Sequence, residues 1–277
     1  MFDICAPTLA LCSLSAGCLM LSQVAGAQEN RTDTQELAKK LANPVSALIS
    51  VPFQFNYDHN IGLDDEGERF QLNFQPVVPI SLGSDWKVIS RTIVPIIYQN
   101  DVVPPPLDDD QFGLGDVEQS LFFSPQQAGS GGLIWGIGPV TLLRTATDDL
   151  LGSENWAIGP TGVVVFQRNH FTVGVLANHL WSVGGNEERT EVNATFIQPF
   201  FSYTTADAWT FTLNSEATYD WEAKTWSVPI NAQATKLFKI GKQPISIGGG
   251  LRYWAETPQF GPEGIGVRLI VTFLFPE

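Results

Sequence analysis

The sequence predicts an all-β chain, an antiparallel transmembrane β-barrel of about 12 strands with a short N-terminal periplasmic arm. Three observations carry the expectation. Strand-like segments of about 10 to 14 residues recur at regular spacing, which favours one closed sheet over two domains. Their connections alternate between mostly short turns and mostly longer, acidic loops. All eight tryptophans fall at or near segment ends, where a membrane barrel meets its two interfaces.

The stretch Trp209 to Tyr219 (WTFTLNSEATY) shows the pattern best. Side chains of a strand alternate between faces, so Trp209, Phe211, Leu213, Ala217 and Tyr219 share one face. Thr210, Thr212, Asn214, Glu216 and Thr218 share the other. At roughly 3.3 Å per residue and a tilt near 45°, its length of about ten residues matches the apolar thickness of an outer membrane.

Composition limits the alternatives. Only 16% of the 277 residues are charged and 44% are hydrophobic, yet beyond the extreme N-terminus no apolar run approaches the roughly 18 residues of a membrane helix. A net charge of −14 and a pI near 4.5 argue against nucleic acid as a partner, because polyanion binding relies on concentrated Lys and Arg.

Residues 1–27 read as a signal peptide, with an apolar stretch around Leu9 to Val24 and a small-residue end, Ala25-Gly26-Ala27. The segment before that stretch lacks Lys and Arg and carries Asp3, which points to a displaced start. Leu14 to Cys18 offers a poor lipoprotein site as the alternative. Cys5, Cys12 and Cys18 all lie here, so cleavage leaves a chain without thiols, disulfides or thiolate metal sites.

Residues 28–46 form the arm, with a short helix over 34–41 capped by Thr32 or Asp33. The barrel takes 47–277, with strands near 47–58, 69–81, 86–99, 115–124, 133–145, 156–168, 170–183, 192–204, 209–219, 226–239, 245–255 and 265–275. An even count returns both termini to the periplasm. Trp156, Trp181, Trp221, Trp226 and Trp254 make the loop-side girdle with Tyr57, Tyr98, Tyr219 and Tyr253. Trp86, Trp135 and Trp209 make the turn-side girdle with Tyr203. The last strand, with Phe273 and Phe275 on its apolar face, resembles a C-terminal signal for the barrel-assembly machinery, although Pro276 and Glu277 follow.

Two features resist the pattern. Pro52, Pro76, Pro79, Pro95, Pro139, Pro160, Pro199 and Pro229 fall inside proposed strands, and each removes a ladder donor. The segments around Gly138 and Gly159 alternate poorly.

The pleat places Gln71, Asn73, Gln75, Arg91, Asn214, Glu216, Asn231, Gln233, Arg252 and Arg268 toward the lumen as candidate solute contacts. Arg252 and Arg268 come nearly opposite each other in a terminal hairpin, which is repulsive unless carboxylates or an anion intervene. No catalytic constellation emerges: His179 and Ser182 fall on opposite faces, His170 and His179 are opposed likewise, and His59 lies in a loop. The carboxylates Asp108-Asp109-Asp110, Asp148-Asp149 and Glu187-Glu188 read as solvated loop surface, with neither metal nor cofactor implied.

The stretches QFGLGD (Gln111 to Asp116), ATDDLLG (Ala146 to Gly152), YDWEA (Tyr219 to Ala223), WSVPIN (Trp226 to Asn231) and GGGLRYW (Gly248 to Trp254) carry a resemblance. From about Leu41 onward the chain resembles the bacterial family named for the MetA pathway of phenol degradation. That resemblance implies an outer-membrane barrel of transporter type linked to aromatic-compound uptake, and it supplies no catalytic motif. The expectation is thus an outer-membrane channel for small solutes, aromatic or weakly polar, in contact with lipid and lipopolysaccharide. A plugged structural or adhesion barrel is the second reading, and a lipid-modifying barrel enzyme the third.

Overall fold

The computed structural model describes residues 33–103 and 110–276, so the proposed signal segment lies outside the described residues. Fifteen strand segments form one antiparallel sheet. They are β1 (Ile49–Ile61), β2 (Gly67–Phe74), β3 (Val77–Leu82), β4 (Trp86–Asn100), β5 (Gln111–Leu114), β6 (Val117–Pro125), β7 (Leu133–Leu143) and β8 (Asn155–Arg168). There follow β9 (Phe171–Gly185), β10 (Asn193–Thr204), β11 (Trp209–Ser215), β12 (Ala217–Asp220), β13 (Thr225–Ile240), β14 (Gln243–Glu256) and β15 (Ile265–Phe275). The pairs β2 and β3, β5 and β6, and β11 and β12 are halves of single strands, which makes a 12-strand wall. Each strand pairs with its sequence neighbours. β15 pairs with β1 from Ile49↔Phe275 to Tyr57↔Val267, which closes the barrel and removes the free edge an open sheet would expose.

Alternation decides which face meets what. On β11, Phe211 and Leu213 are about half exposed, at 50% and 52%, while Thr210 between strand neighbours is buried. Leu251, Tyr253, Ile265, Val267 and Leu269 continue the exposed apolar belt across β14 and β15. So large a hydrophobic exterior is costly in water and suits a lipid environment.

Seven tryptophans point outward on strand ends or turns: Trp156, Trp181, Trp221 and Trp226 toward the loops, Trp86, Trp135 and Trp209 toward the turns. Trp86 and Trp135 meet edge to face at 5.9 Å. Trp254 does not belong with them. Tyr253 takes the outward position of β14, so the pleat turns Trp254 inward, where its Nε1 donates to Asp58 Oδ1 at 2.8 Å.

The prolines leave local marks in the ladder. Pro139 of β7 faces Pro160 of β8. The β6–β7 ladder skips Leu121 and Phe122, and the β8–β9 ladder skips Gly159 and Pro160. Pro76 separates β2 from β3, yet Gln75 N donates to Pro52 O and Thr92 N to Pro76 O, so the wall continues across the break. Pro229 sits at the β13 bulge.

Helix 33–41 and the segment after it occupy the turn-side mouth. Leu37, Ala38 and Leu48 pack with Leu237 and Leu274 of the inner wall, and Val45, fully buried, packs deeper against Ile89, Phe122, Val163, Val165 and Leu176. Gln167 Nε2 donates to Lys39 O at 2.7 Å, Gln35 bonds His170, and Asp33 pairs with Lys239. The arm is therefore a plug seated in the barrel, with apolar burial and polar ties to several strands holding it there.

Candidate solute path through the barrel

The side of the inner surface made by β1, β2 and β11 to β15 holds the two interior ion pairs found among the described residues. Arg268 is its centre: Nε donates to Asn56 Oδ1 at 2.7 Å, and Nη1 and Nη2 donate to the two oxygens of Glu216 at 2.9 and 2.8 Å. Glu216 reaches across from the gap between β11 and β12, and the Arg268 side chain is 1% exposed. A planar guanidinium facing a carboxylate in this two-pronged way is fixed in orientation as well as charge.

One step toward the loops, Arg252 Nη1 lies 3.3 Å from Asp58 Oδ2, and its guanidinium stacks 4.4 Å from the Trp254 ring. Arg252 and Arg268 are diagonal neighbours, since the register pairs Arg252 with Gly266 and Gly250 with Arg268. Each has a carboxylate of its own, which offsets the repulsion the spacing implied. Arg69 Nε donates to Gln99 Oε1 at 3.0 Å, and Gln99 passes the chain to Gln111 at 2.9 Å.

The other predicted lumen residues also face inward. Gln71 Nε2 donates to Asn73 Oδ1 at 2.8 Å, Asn231 Nδ2 donates to Asn214 Oδ1 at 2.8 Å, and Arg91 Nη2 donates weakly to Gln75 Oε1 at 3.4 Å. Gln75, Arg91, Asn214 and Gln233 line one cavity of about 230 Å³ beneath the arm. Gln71, Asn73, Arg252, Arg268 and Glu216 lie apart from it, closer to the loop side.

Sequence reasoning missed Asn56, Asp58, Arg69, Gln99, Glu118 and Trp254 in the interior. The signal was present for β1, where Gln54, Asn56 and Asp58 alternate with Phe53, Phe55 and Tyr57. It was hidden on β4 and β6, where both faces carry apolar residues.

The other side, from β4 to β10, is mixed: Lys87, Gln99, Thr161 and Asn178 are buried there beside Arg91 and Glu118, and apolar clusters take much of the rest. Ile89, Phe122, Val163, Val165 and Leu176 face inward with Phe196 and Phe200, and Val140, Ala157 and Leu180 form a second inward cluster nearer the loops. This explains the poor alternation around Gly138 and Gly159: strands greasy on both faces have no period-two signature.

The loop side is narrowed by the connection 144–154. Gly113 and Gly115 make room for it, since a Cβ on Gly113 would stand 2.1 Å from Thr147 Oγ1 and one on Gly115 would stand 3.2 Å from Leu151 O. Asp116 then holds the loop. Its Oδ1 accepts from Thr145 N and Ala146 N, both at 3.1 Å, and its Oδ2 accepts from Ser153 N and Ser153 Oγ, both at 2.7 Å. The two stretches QFGLGD and ATDDLLG are thus the two sides of one contact.

A second clasp joins this loop to the connection after β9. Asn186 Nδ2 donates to Glu154 Oε2, Arg144 lies 3.6 Å from the same oxygen, and Arg189 Nη2 donates to Asp149 O and Gly152 O at 2.9 and 3.0 Å. The Asn186 hydrogen bond, with Arg189 and Arg144 nearby, holds the Glu154 carboxyl below the usual glutamate range.

The histidines are dispersed. His179 faces outward, its Nδ1 2.7 Å from Thr195 Oγ1 and its ring 4.1 Å from Trp181. Ser182 faces the other way, its Oγ accepting from Val192 N at 2.6 Å. His170 bonds Thr204 O at 2.8 Å beside the arm. His59 belongs to the end of β1, where the strand runs past the expected boundary, and lies 3.2 Å from Ile265 O. Among the described residues no group of three or more His, Cys, Asp and Glu side chains is placed to hold a metal.

Comparison with known proteins bears on the fold. No family model matches the chain, and no curated protein matches it in sequence. Among solved structures, the chain is similar to a COG4313 outer membrane channel from Pseudomonas putida F1, at a TM-score of 0.65 and 11% identity. That match covers 83% of this chain and 96% of the other. Outer membrane phospholipase from Salmonella typhi, solved as a dimer with bound calcium, gives a TM-score of 0.47 at 10% identity, covering 89% and 98%. Phospholipase A from Escherichia coli gives 0.44 at 10% identity, covering 82% and 96%. The chain therefore shares the barrel fold of that outer membrane channel.

Proposed function

We propose that this protein is an outer-membrane channel that passes small solutes, aromatic or weakly polar, down their gradient. The observation that carries the reading is the mixed interior of a closed barrel, where paired arginines, carboxylates and amides stand beside inward clusters of Ile, Val, Leu and Phe. An interior that offers both polar and apolar contacts suits a solute with polar and apolar parts. The shape similarity to a COG4313 outer membrane channel supports the same reading. Membership of the phenol-degradation family belongs to this proposal and rests on the motifs quoted above. So do the outer-membrane location, the contact with lipopolysaccharide and assembly through β15. The reading assigns no catalysis.

A plugged structural barrel is the second reading, favoured by the arm in the turn-side mouth. Planar-bilayer recordings separate the two when the intact chain is compared with one lacking residues 33–44. A channel conducts in at least the shortened form, and its currents change on Arg252→Gln. Silence in both forms would leave the structural reading.

A further inference from the structure

We infer that the cavity under the arm is a binding site for a small carboxylate with an apolar body, seated with its charge on Arg91. The inference rests on the channel reading for its purpose and on independent geometry for its chemistry.

The cavity, about 230 Å³, lies between the arm and the middle of the barrel. Among the described residues that line it, the one arginine is Arg91, which comes from β4 and stands next to Gln75. Unlike Arg252 and Arg268, Arg91 makes no ion pair within 4 Å among the described residues. Among the described residues its side chain makes one hydrogen bond, 3.4 Å to Gln75 Oε1, at the weak end of the range. Two carboxylates lie within its electrostatic reach, Glu118 and Glu216. Both oxygens of Glu216 are already taken by Arg268, and Glu118 is met by Ser120 Oγ at 3.5 Å. The guanidinium thus keeps donors for an incoming acceptor, and a guanidinium fork fits a carboxylate in two-pronged geometry.

The neighbouring groups fit the same ligand. Gln233 lines the same cavity, and with its side-chain oxygen buried without a partner, the NH₂ is the end of the amide left to face an incoming acceptor. Leu176, Phe200, Val77 and Ile270, from four strands, supply apolar contacts around the cavity. A carboxylate head on Arg91 and Gln233 leaves its hydrocarbon body against these four residues. The roof is the arm itself, through Ala38, Leu41 and Pro44, so occupancy and arm position are physically linked.

Isothermal titration of the full chain in detergent with sodium benzoate tests the site, with benzyl alcohol and inorganic phosphate as comparison probes. The expected result is saturable benzoate binding that weakens at least tenfold in Arg91→Gln, survives in part in Arg91→Lys, and is unchanged in Arg168→Gln, which removes one charge from the outer face. Benzyl alcohol and phosphate should each bind at least tenfold more weakly than benzoate, the first for want of charge and the second for want of an apolar body. Gln233→Glu, which adds a negative charge to the cavity at nearly constant shape, should also weaken benzoate and serves if Arg91→Gln fails to fold. Equal affinity for benzyl alcohol, unaltered benzoate binding in both cavity variants, or no benzoate binding at all overturns the site. Conductance without benzoate binding overturns the site alone, whereas binding without conductance overturns only the channel reading.

Discussion

Arg268 and Glu216 are joined by two parallel hydrogen bonds of 2.9 and 2.8 Å inside the barrel, from the last strand past β14 and β13 to the break of β11 and β12. The ladder on β10 and β13 keeps one register on either side of Glu216, so the strand runs through the break without a shift. Removing one partner strands a buried charge. Glu216→Gln or Arg268→Met alone should destabilise the barrel by about 3 to 5 kcal/mol, and the double variant should recover much of the loss. Urea unfolding followed by the shift in gel mobility of folded against unfolded barrel reads both.

Asp116 receives four hydrogen bonds from the connection 144–154. Asp116→Ala leaves those donors to water, at about 1.5 to 3 kcal/mol for each bond to a charged acceptor before compensation. The expected outcome is a barrel that still folds but whose loop is cut quickly by protease. Gly113→Val should give the same sensitivity from the other side of the contact, because its side chain would take the place of Thr147.

The arm is held largely by apolar burial, with Leu37 6% exposed and Val45 fully buried. Leu37→Asp places an unpaired charge in that contact and should release the helix. Single-channel recordings should show conductance rising several-fold, as in a chain lacking residues 33–44. Equal currents in all three proteins would mean the arm does not obstruct the path.

The Glu154 clasp should respond to acid. Its carboxyl is held below the ordinary glutamate value by Asn186, Arg189 and Arg144, so its contribution is complete above the unfolded pKa of about 4.3 and is lost as pH falls through the lower folded value. Amide exchange of the connections after β7 and β9 should accelerate below about pH 4. Glu154→Gln should remove the pH dependence.

Much of the wall was legible in the sequence because period two is visible wherever one face is greasy and the other polar. β11, β13 and β15 have that character, and their predicted spans differ from the observed ones by a residue or so at most, apart from the interruption at Glu216. The pattern disappears from β7 to β9, where Val140, Val163, Val165 and Leu176 face an apolar interior. Trp254 was misplaced because a tryptophan near a strand end fits a girdle equally well on either face. Only the phase of Tyr253 beside it and the charge of Asp58 across from it decide the matter. The closeness of Gly113 to Thr147 was out of reach altogether, since it joins positions far apart in sequence through a loop without periodicity.

Oily and ionic contacts stand side by side in the interior, with Ile89 next to Arg91 on one strand and Leu237 and Leu274 on the strands that carry Asn231 and Arg268. A molecule bearing both kinds of surface would exchange one contact for the other as it advances. Amphipathic solutes should then pass faster than ones of equal size that are wholly charged or wholly greasy.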